Sequence, residues 1–150
     1  MVLHLAGKPA EYAVVRWRKR DAKKLATKIG LPDGQTTWEY LVVLLGLIIW
    51  GSEYSKPGLA VLGDNLAALN GALSMKGKGS LATVTREIAW RRVRYAWHYA
   101  AGHLPTEHNT LADALSRLHC PEESEQKSFP PELLSLTRRS APELEEIWSC

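Results

Sequence analysis

The chain has 150 residues, of which 45% are apolar and 23% are charged. This length can supply one domain with its own core, so the composition excludes a disordered chain, a disulfide scaffold, collagen and a coiled coil. Residues 1–118 carry 16 basic and 9 acidic side chains and residues 119–150 carry 3 and 7, which predicts an anionic partner for the body unless its charge is only solvated surface.

The first half of the chain predicts a hairpin, a connection and a long helix. Val2–Leu5 and residues 11–17 are apolar or alternating on either side of a turn, which predicts two paired strands. Residues 21–29 predict a short helical or irregular connection. Between residues 38 and 50, apolar side chains cover almost the whole circumference of a helix that Thr36 or Thr37 can cap. We expect this helix at the centre of the core.

Strands and helices alternate in the second half. The apolar run at residues 59–62 predicts a strand buried on both faces, and a helix over residues 66–73 follows it. Ser80 can cap a further helix, residues 93–100 alternate as a strand does, and residues 110–118 predict the last helix. This order of elements predicts an α/β fold in which helices flank a mixed sheet.

The last segment, residues 119–150, differs from the body in composition. It is acidic and rich in proline, and it shows little hydrophobic periodicity. We therefore predict one folded domain over residues 1–118 and a mostly disordered C-terminal tail, which a linker toward a further domain would also resemble.

Targeting features point to the interior of the cell. The start of the chain has no basic lead before its short apolar stretch, so we expect no signal peptide. The longest apolar run, residues 41–50, is shorter than the roughly 20 residues that cross a bilayer as a helix. The two cysteines, Cys120 and Cys150, fit a reducing compartment. We expect an intracellular protein, cytoplasmic or nuclear, with no membrane partner.

Three acidic residues stand beside strongly apolar segments: Glu39, Asp64 and Asp113. Carboxylates are rarely placed there unless they are paired or functional. Meeting beyond the end of a strand, they could hold divalent cations for phosphodiester hydrolysis. The structural alternatives are a helix-dipole role for Glu39, an N-cap for Asp64, and an ion pair of Asp113 with Arg117 four residues later.

Three segments carry recognisable motifs in one order. Residues 102–118 read Gly-His-Leu-Pro-Thr-Glu-His-Asn-Thr-Leu-Ala-Asp-Ala-Leu-Ser-Arg-Leu, residues 63–69 read Gly-Asp-Asn-Leu-Ala-Ala-Leu, and residues 37–45 place a Glu before an apolar run. The first resembles the C-terminal motif His-x-Pro-Gly-x-x-Asn-x-x-Ala-Asp-x-Leu-Ser-Arg of the ribonuclease H domain of retroelement reverse transcriptases. The other two resemble that family's central-strand motif and first long helix. The resemblance spans residues 1–118.

The resemblance implies a ribonuclease H-like fold and metal-dependent endonucleolytic hydrolysis of RNA in an RNA–DNA hybrid. Glu39, Asp64 and Asp113 match three of the family's four metal-binding carboxylates, which implies a two-ion site for Mg²⁺ or Mn²⁺. His103 matches a loop histidine that assists proton transfer or product release, a role that suits a near-neutral pKa. The alternative for His103 is a hydrogen bond within its own loop.

Nucleic-acid contacts are expected from one amide and six basic residues: Asn65, Lys76, Lys78, Arg86, Arg91, Arg92 and Arg94. Hybrid recognition would depend on phosphates and 2′-hydroxyls. The alternatives are a turn role for Asn65 and a solvated helix face for the arginines. The tryptophans are expected mainly in the core.

One departure from the family concerns its first carboxylate, an Asp on the first strand. Here Val2–Leu5 resembles the second strand, and no Asp precedes it. We therefore expect a domain that lacks its first strand, with unpaired strand edges, weaker metal binding and impaired catalysis. A lesser departure is Thr106, which replaces the motif Gly.

These observations leave three functional hypotheses. The first is a retroelement-derived ribonuclease H-like domain with impaired hydrolysis, whose partners are an RNA–DNA hybrid or other nucleic acid and a polymerase domain of the parent polyprotein. The second is a nucleic-acid-binding module without catalysis, and the third is an unstable relic. Salt-dependent binding without cleavage favours the second, and loss of cooperative unfolding favours the third.

Overall fold

The structure, a computed structural model, describes residues 1–56, 58–120 and 122–148. These residues form six α-helices and two small sheets, which confirms the predicted α/β class. They divide into two compact units. Residues 1–15 and 104–141 form the hairpin unit, and residues 16–103 and 142–148 form the helical unit. The predicted domain boundary at residue 118 stays a prediction.

The hairpin unit contains a three-stranded sheet. Strand β1 (Val2–Leu5) pairs antiparallel with β2 (Lys8–Tyr12), and β2 pairs parallel with the short β5 (Thr137–Arg138). Ala6 and Gly7 at the turn both have positive φ, which suits a tight hairpin. The predicted hairpin is confirmed, although its second strand begins earlier and ends at Tyr12 rather than at residue 17.

The prediction of a mostly disordered tail is wrong for residues 122–148. Leu133 is fully buried in the hairpin unit, and Leu144 and Ile147 of helix α6 (Leu144–Ile147) are buried in the helical unit. The carboxylate of Glu11 accepts a hydrogen bond from Arg139 Nη1 at 2.9 Å. The buried residues of the tail fall in short, separate segments, and the acidic, proline-rich composition led to the prediction of disorder.

The helical unit is built around α2 (Pro32–Tyr54). Leu41, Leu44 and Leu45 are fully buried, which confirms the predicted central helix. The predicted cap at Thr36 or Thr37 is wrong, because the helix begins at Pro32, where a missing N–H costs little. Among the described residues, no helix has the length and apolarity needed to cross a membrane.

A short first helix, α1 (Lys19–Lys24), lies in the predicted connection. Helices α3 (Leu66–Ser74) and α4 (Ser80–Arg94) pack on α2, and β3 (Leu59–Gly63) pairs parallel with β4 (Tyr99–His103).

Two predictions for this region are wrong. The strand predicted over residues 93–100 begins only at Tyr99, as β4, because α4 continues to Arg94 and a turn precedes the strand. The apolar residues alternate across the C-terminal end of α4, and this alternation resembles the pattern of a strand. Strand β3 is also not buried on both faces, since the Leu62 side chain near its end is 55% exposed.

Candidate functional site

The parallel sheet brings two motif residues to one end of the helical unit. Strands β3 and β4 pair in register until Gly63 lies opposite His103. Because Asp64 follows Gly63 directly, Asp64 and His103 both lie at the carboxyl end of the sheet, and both are exposed. The crevice beyond this end is the usual ligand position in parallel α/β sheets.

Asn65 joins this end of the sheet to α2. Its side-chain oxygen accepts a hydrogen bond from the Ala68 N–H at 3.0 Å, so Asn65 caps α3 in the role that we considered for Asp64. Its amide group donates to Thr36 Oγ1 on α2 at 3.5 Å. Since residues three apart are neighbours on a helix surface, Glu39 lies beside the contact between Thr36 and Asn65.

Glu39 is held by a neutral neighbour on its own helix. Its carboxylate accepts a hydrogen bond from Gln35 Nε2 at 2.6 Å, and the side chain is partly exposed. An amide donor orients a carboxylate without cancelling its charge. Asp64 and His103 thus lie at one end of the sheet, and Glu39 lies one helical turn from the residue that Asn65 contacts.

Asp113 belongs to the hairpin unit, on α5 (Thr110–Ser116). Its Oδ1 accepts a hydrogen bond from Arg117 Nε at 2.9 Å, and its Oδ2 accepts one from Lys127 Nζ at 2.5 Å. The hydrogen bond from Lys127, followed by those of Arg117, holds the pKa of Asp113 below its usual value, although desolvation opposes this. The ion pair of Asp113 with Arg117 is thus confirmed, and Lys127 is a partner that sequence spacing does not reveal.

The carboxylates do not fit the two-ion site that the resemblance implies. Within the part of the chain that the structure describes, no group of three or more His, Cys, Asp or Glu side chains is arranged to hold a metal ion. Both oxygens of Asp113 are bonded to cations, whose charge repels a divalent ion.

The predicted basic contacts differ in their surroundings. Lys76, Lys78 and Arg86 are exposed. Arg91 donates from Nε to Glu87 at 2.6 Å and from Nη2 to the carbonyl oxygen of Ile147 at 2.8 Å, and its side chain is only 11% exposed. Because Glu87 is almost fully buried, Arg91 neutralises a buried charge, and its contact with nucleic acid stays a prediction.

The last two arginines lie over aromatic rings. Arg92 Cζ is 5.2 Å from the ring centroid of Tyr99, and Arg94 Cζ is 5.1 Å from that of Trp90 and 5.9 Å from that of Tyr95. Burial raises the pKa of Tyr99 to about 12, with Arg92 opposing the shift. Tyr95, which the sequence predicted only as part of a strand, follows the last residue of α4 directly.

Comparisons with known proteins add no relative: no family model, no curated protein and no solved structure matches the chain. The resemblance to ribonuclease H domains therefore depends on the motifs of this chain alone. What the structure adds is the position of each motif residue within its own unit.

Proposed function

We propose that the chain is a ribonuclease H-like nucleic-acid-binding domain of retroelement origin in which hydrolysis of RNA is impaired. The supporting observation is that Gly63 lies opposite His103 in the parallel sheet, so that Asp64 and His103 share one end while Asn65 contacts α2 beside Glu39. Asp64 and His103 belong to two of the three motifs, and Glu39 of the third lies one helical turn from the Thr36 that Asn65 contacts. The proposal includes an intracellular location and a polymerase domain as a neighbour in the parent polyprotein.

Nucleic-acid binding is supported by the exposed cations. Lys76 and Lys78 lie in the segment that leads into α4, and Arg86 and Arg94 are exposed on that helix. Each phosphate that a cation neutralises releases counterions, so binding weakens as salt rises. The excess of basic residues over residues 1–118 acts in the same direction at longer range.

Impaired hydrolysis is supported by the surroundings of Asp113. As a metal ligand, Asp113 would have to give up its hydrogen bonds with Arg117 and Lys127. We therefore place Mg²⁺ or Mn²⁺ in the ancestral reaction and assign no catalytic step to this chain.

The test is binding and cleavage of a labelled RNA–DNA hybrid, after cooperative unfolding has established that the protein is folded. We expect binding that weakens steeply with salt, and no cleavage in Mg²⁺ or Mn²⁺. Substitution Lys78→Gln should weaken binding more than Lys23→Gln, which removes the same charge from an exposed position on α1.

Two results would contradict this proposal. Failure to bind the hybrid at low salt would remove the binding function. Cleavage that both Asp64→Asn and Asp113→Asn abolish would show that the three carboxylates suffice for hydrolysis and that the domain is an active enzyme.

A further inference from the structure

The C-terminal end of α4 carries an unusual surface, the aromatic–arginine cluster, formed by Trp90, Val93, Arg94 and Tyr95. The Arg94 guanidinium lies over the rings of both Trp90 and Tyr95. The Val93 side chain is 85% exposed and Tyr95 is 44% exposed. Single exposed apolar residues are ordinary on protein surfaces, but here an aromatic ring, an aliphatic side chain and a cation adjoin one another.

The tyrosine of the cluster has a rigid support. Tyr95 stacks on Trp97 with ring centroids 5.8 Å apart and planes at 27°. Trp97 is 2% exposed, and it packs so closely on α2 that a Cβ added at Gly51 would lie 3.0 Å from its ring. The exposed ring of Tyr95 is therefore backed by the core of the helical unit.

Backbone hydrogen bonds fix the turn that carries these rings. The Trp97 N–H donates to the Arg92 carbonyl oxygen at 3.0 Å, and the Ala96 N–H donates to that of Val93 at 3.4 Å. This is a Schellman end to α4, with Ala96 in the left-handed region at φ 51°. Ser55 Oγ accepts a hydrogen bond from the His98 N–H at 2.7 Å just beyond it. Binding of a ligand to Tyr95 would therefore cost little conformational entropy, because the turn that carries the side chain is already ordered.

Charge and shape together identify the ligand. Arg86, Trp90 and Arg94 are spaced four residues apart on α4, so cations flank an aromatic ring along one helix face. Single-stranded nucleic acid offers phosphates for the cations and unpaired base faces for the rings and the guanidinium plane. In a duplex the base faces are already stacked on one another and are not available to Tyr95.

We propose that the aromatic–arginine cluster binds single-stranded nucleic acid, with a base stacked on Tyr95 or Arg94 and the neighbouring phosphates on Arg86 and Arg94. The site rests on the proposed function in that its ligand is a nucleic acid, but it names a strand state that hybrid binding does not require. It would hold an unpaired stretch, such as a strand that overhangs a duplex.

The experiment compares a labelled single-stranded oligonucleotide with a blunt RNA–DNA hybrid of the same sequence, by fluorescence anisotropy at fixed salt. Substitution Tyr95→Ala should weaken single-strand binding by about tenfold, whereas Tyr95→Phe, which keeps the ring, should bind as the unchanged protein does. Neither substitution at Tyr95 should change the affinity for the hybrid by more than twofold. The exposed pair Arg94→Gln and Arg16→Gln adds a comparison that leaves the core intact: Arg94→Gln should weaken single-strand binding more than it weakens hybrid binding, and Arg16→Gln should leave single-strand binding unchanged.

The outcomes separate the two proposals. If the unchanged protein binds the hybrid and Tyr95→Ala and Arg94→Gln leave single-strand binding intact, the stacking site is wrong and the proposed function stands. If both substitutions weaken hybrid and single strand equally, the cluster has no preference for unpaired bases and the inference is overturned. If the unchanged protein binds neither probe at low salt, both proposals fail. Should Tyr95→Ala lose its cooperative unfolding transition, the Arg94→Gln result decides.

Discussion

The two units place their charged motif residues in opposite electrostatic settings. In the helical unit, Glu39 is bonded by the neutral amide of Gln35, and its charge is retained. In the hairpin unit, Asp113 lies between Arg117 and Lys127, and its charge is largely balanced. Both carboxylates resemble metal-binding positions of one family, so the residue type alone does not decide whether a carboxylate is available to bind a cation. Its neighbours do.

The largest expected effect concerns the buried ion pair of the helical unit. Substitution Arg91→Gln should lower the free energy of unfolding by about 3–5 kcal/mol, because it leaves the buried carboxylate of Glu87 without its cation. Denaturant unfolding measures the loss. The exposed Arg86→Gln is the control and should change stability little. Equal, small effects of the two substitutions would mean that Arg91 is a surface residue after all.

In the hairpin unit, two adjacent leucines of the tail offer a matched test of its order. Substitution Leu133→Ala should cost about 2–5 kcal/mol, because the side chain is fully buried. Substitution Leu134→Ala should change stability by less than about 0.5 kcal/mol, because that side chain is 75% exposed. Thermal or denaturant unfolding measures both changes in stability. If neither substitution changed the stability, the prediction of a disordered tail would be correct after all.

The cations around Asp113 give a smaller and pH-dependent effect. The pKa of Asp113 is lowered in the folded state, so the ion pairs of Asp113 stabilise the protein above the unfolded-state pKa, near 3.8. This stabilisation is lost as the pH falls through the lower folded-state pKa. Substitution Asp113→Asn should cost about 1 kcal/mol or less at neutral pH and nothing in strong acid, since the pair is partly exposed. Unfolding measured across this pH range checks the sign. A cost that grew on acidification would contradict the pairing.

The smallest expected effect is a gain. Substitution Ala96→Gly should stabilise the protein by about 0.5–1 kcal/mol, because Ala96 is in the left-handed region, where glycine has no Cβ penalty. The same change within α4, Ala89→Gly, should instead cost about 1 kcal/mol. Melting temperatures of the two variants should therefore move in opposite directions, and a shared direction would contradict the helix end described for α4.

The sequence predicted the fold correctly where a pattern of residues lies within a single helix or strand. The apolar circumference of α2 revealed a central helix, and Arg117, four residues after Asp113, revealed an ion pair. The end of α4 was misread because alternation at residues 93–100 continues across a helix end, and only the backbone turn at Ala96 separates the two periods.

The candidate site could be predicted only as a list of residues. The register that sets Gly63 opposite His103 depends on strand pairing, and the contact of Asn65 with Thr36 depends on how α3 begins. Lys127 reaches Asp113 from 14 residues away through the folded tail, which local periodicity does not encode. The partners of a carboxylate are thus the part of the site that the sequence predicts least well.

The pairing of β2 with β5 has a consequence for the order of events during synthesis. Glu11 lies opposite Thr137, so β2 can pair with β5 only after helices α1 to α5 have been synthesised. At a translation rate of about 5–20 residues per second, the nascent hairpin waits for many seconds with one edge open. Helices α2, α3 and α4 therefore leave the ribosome before the three-stranded sheet can form. The open edge of β2 can pair wrongly until β5, in the acidic tail, has emerged.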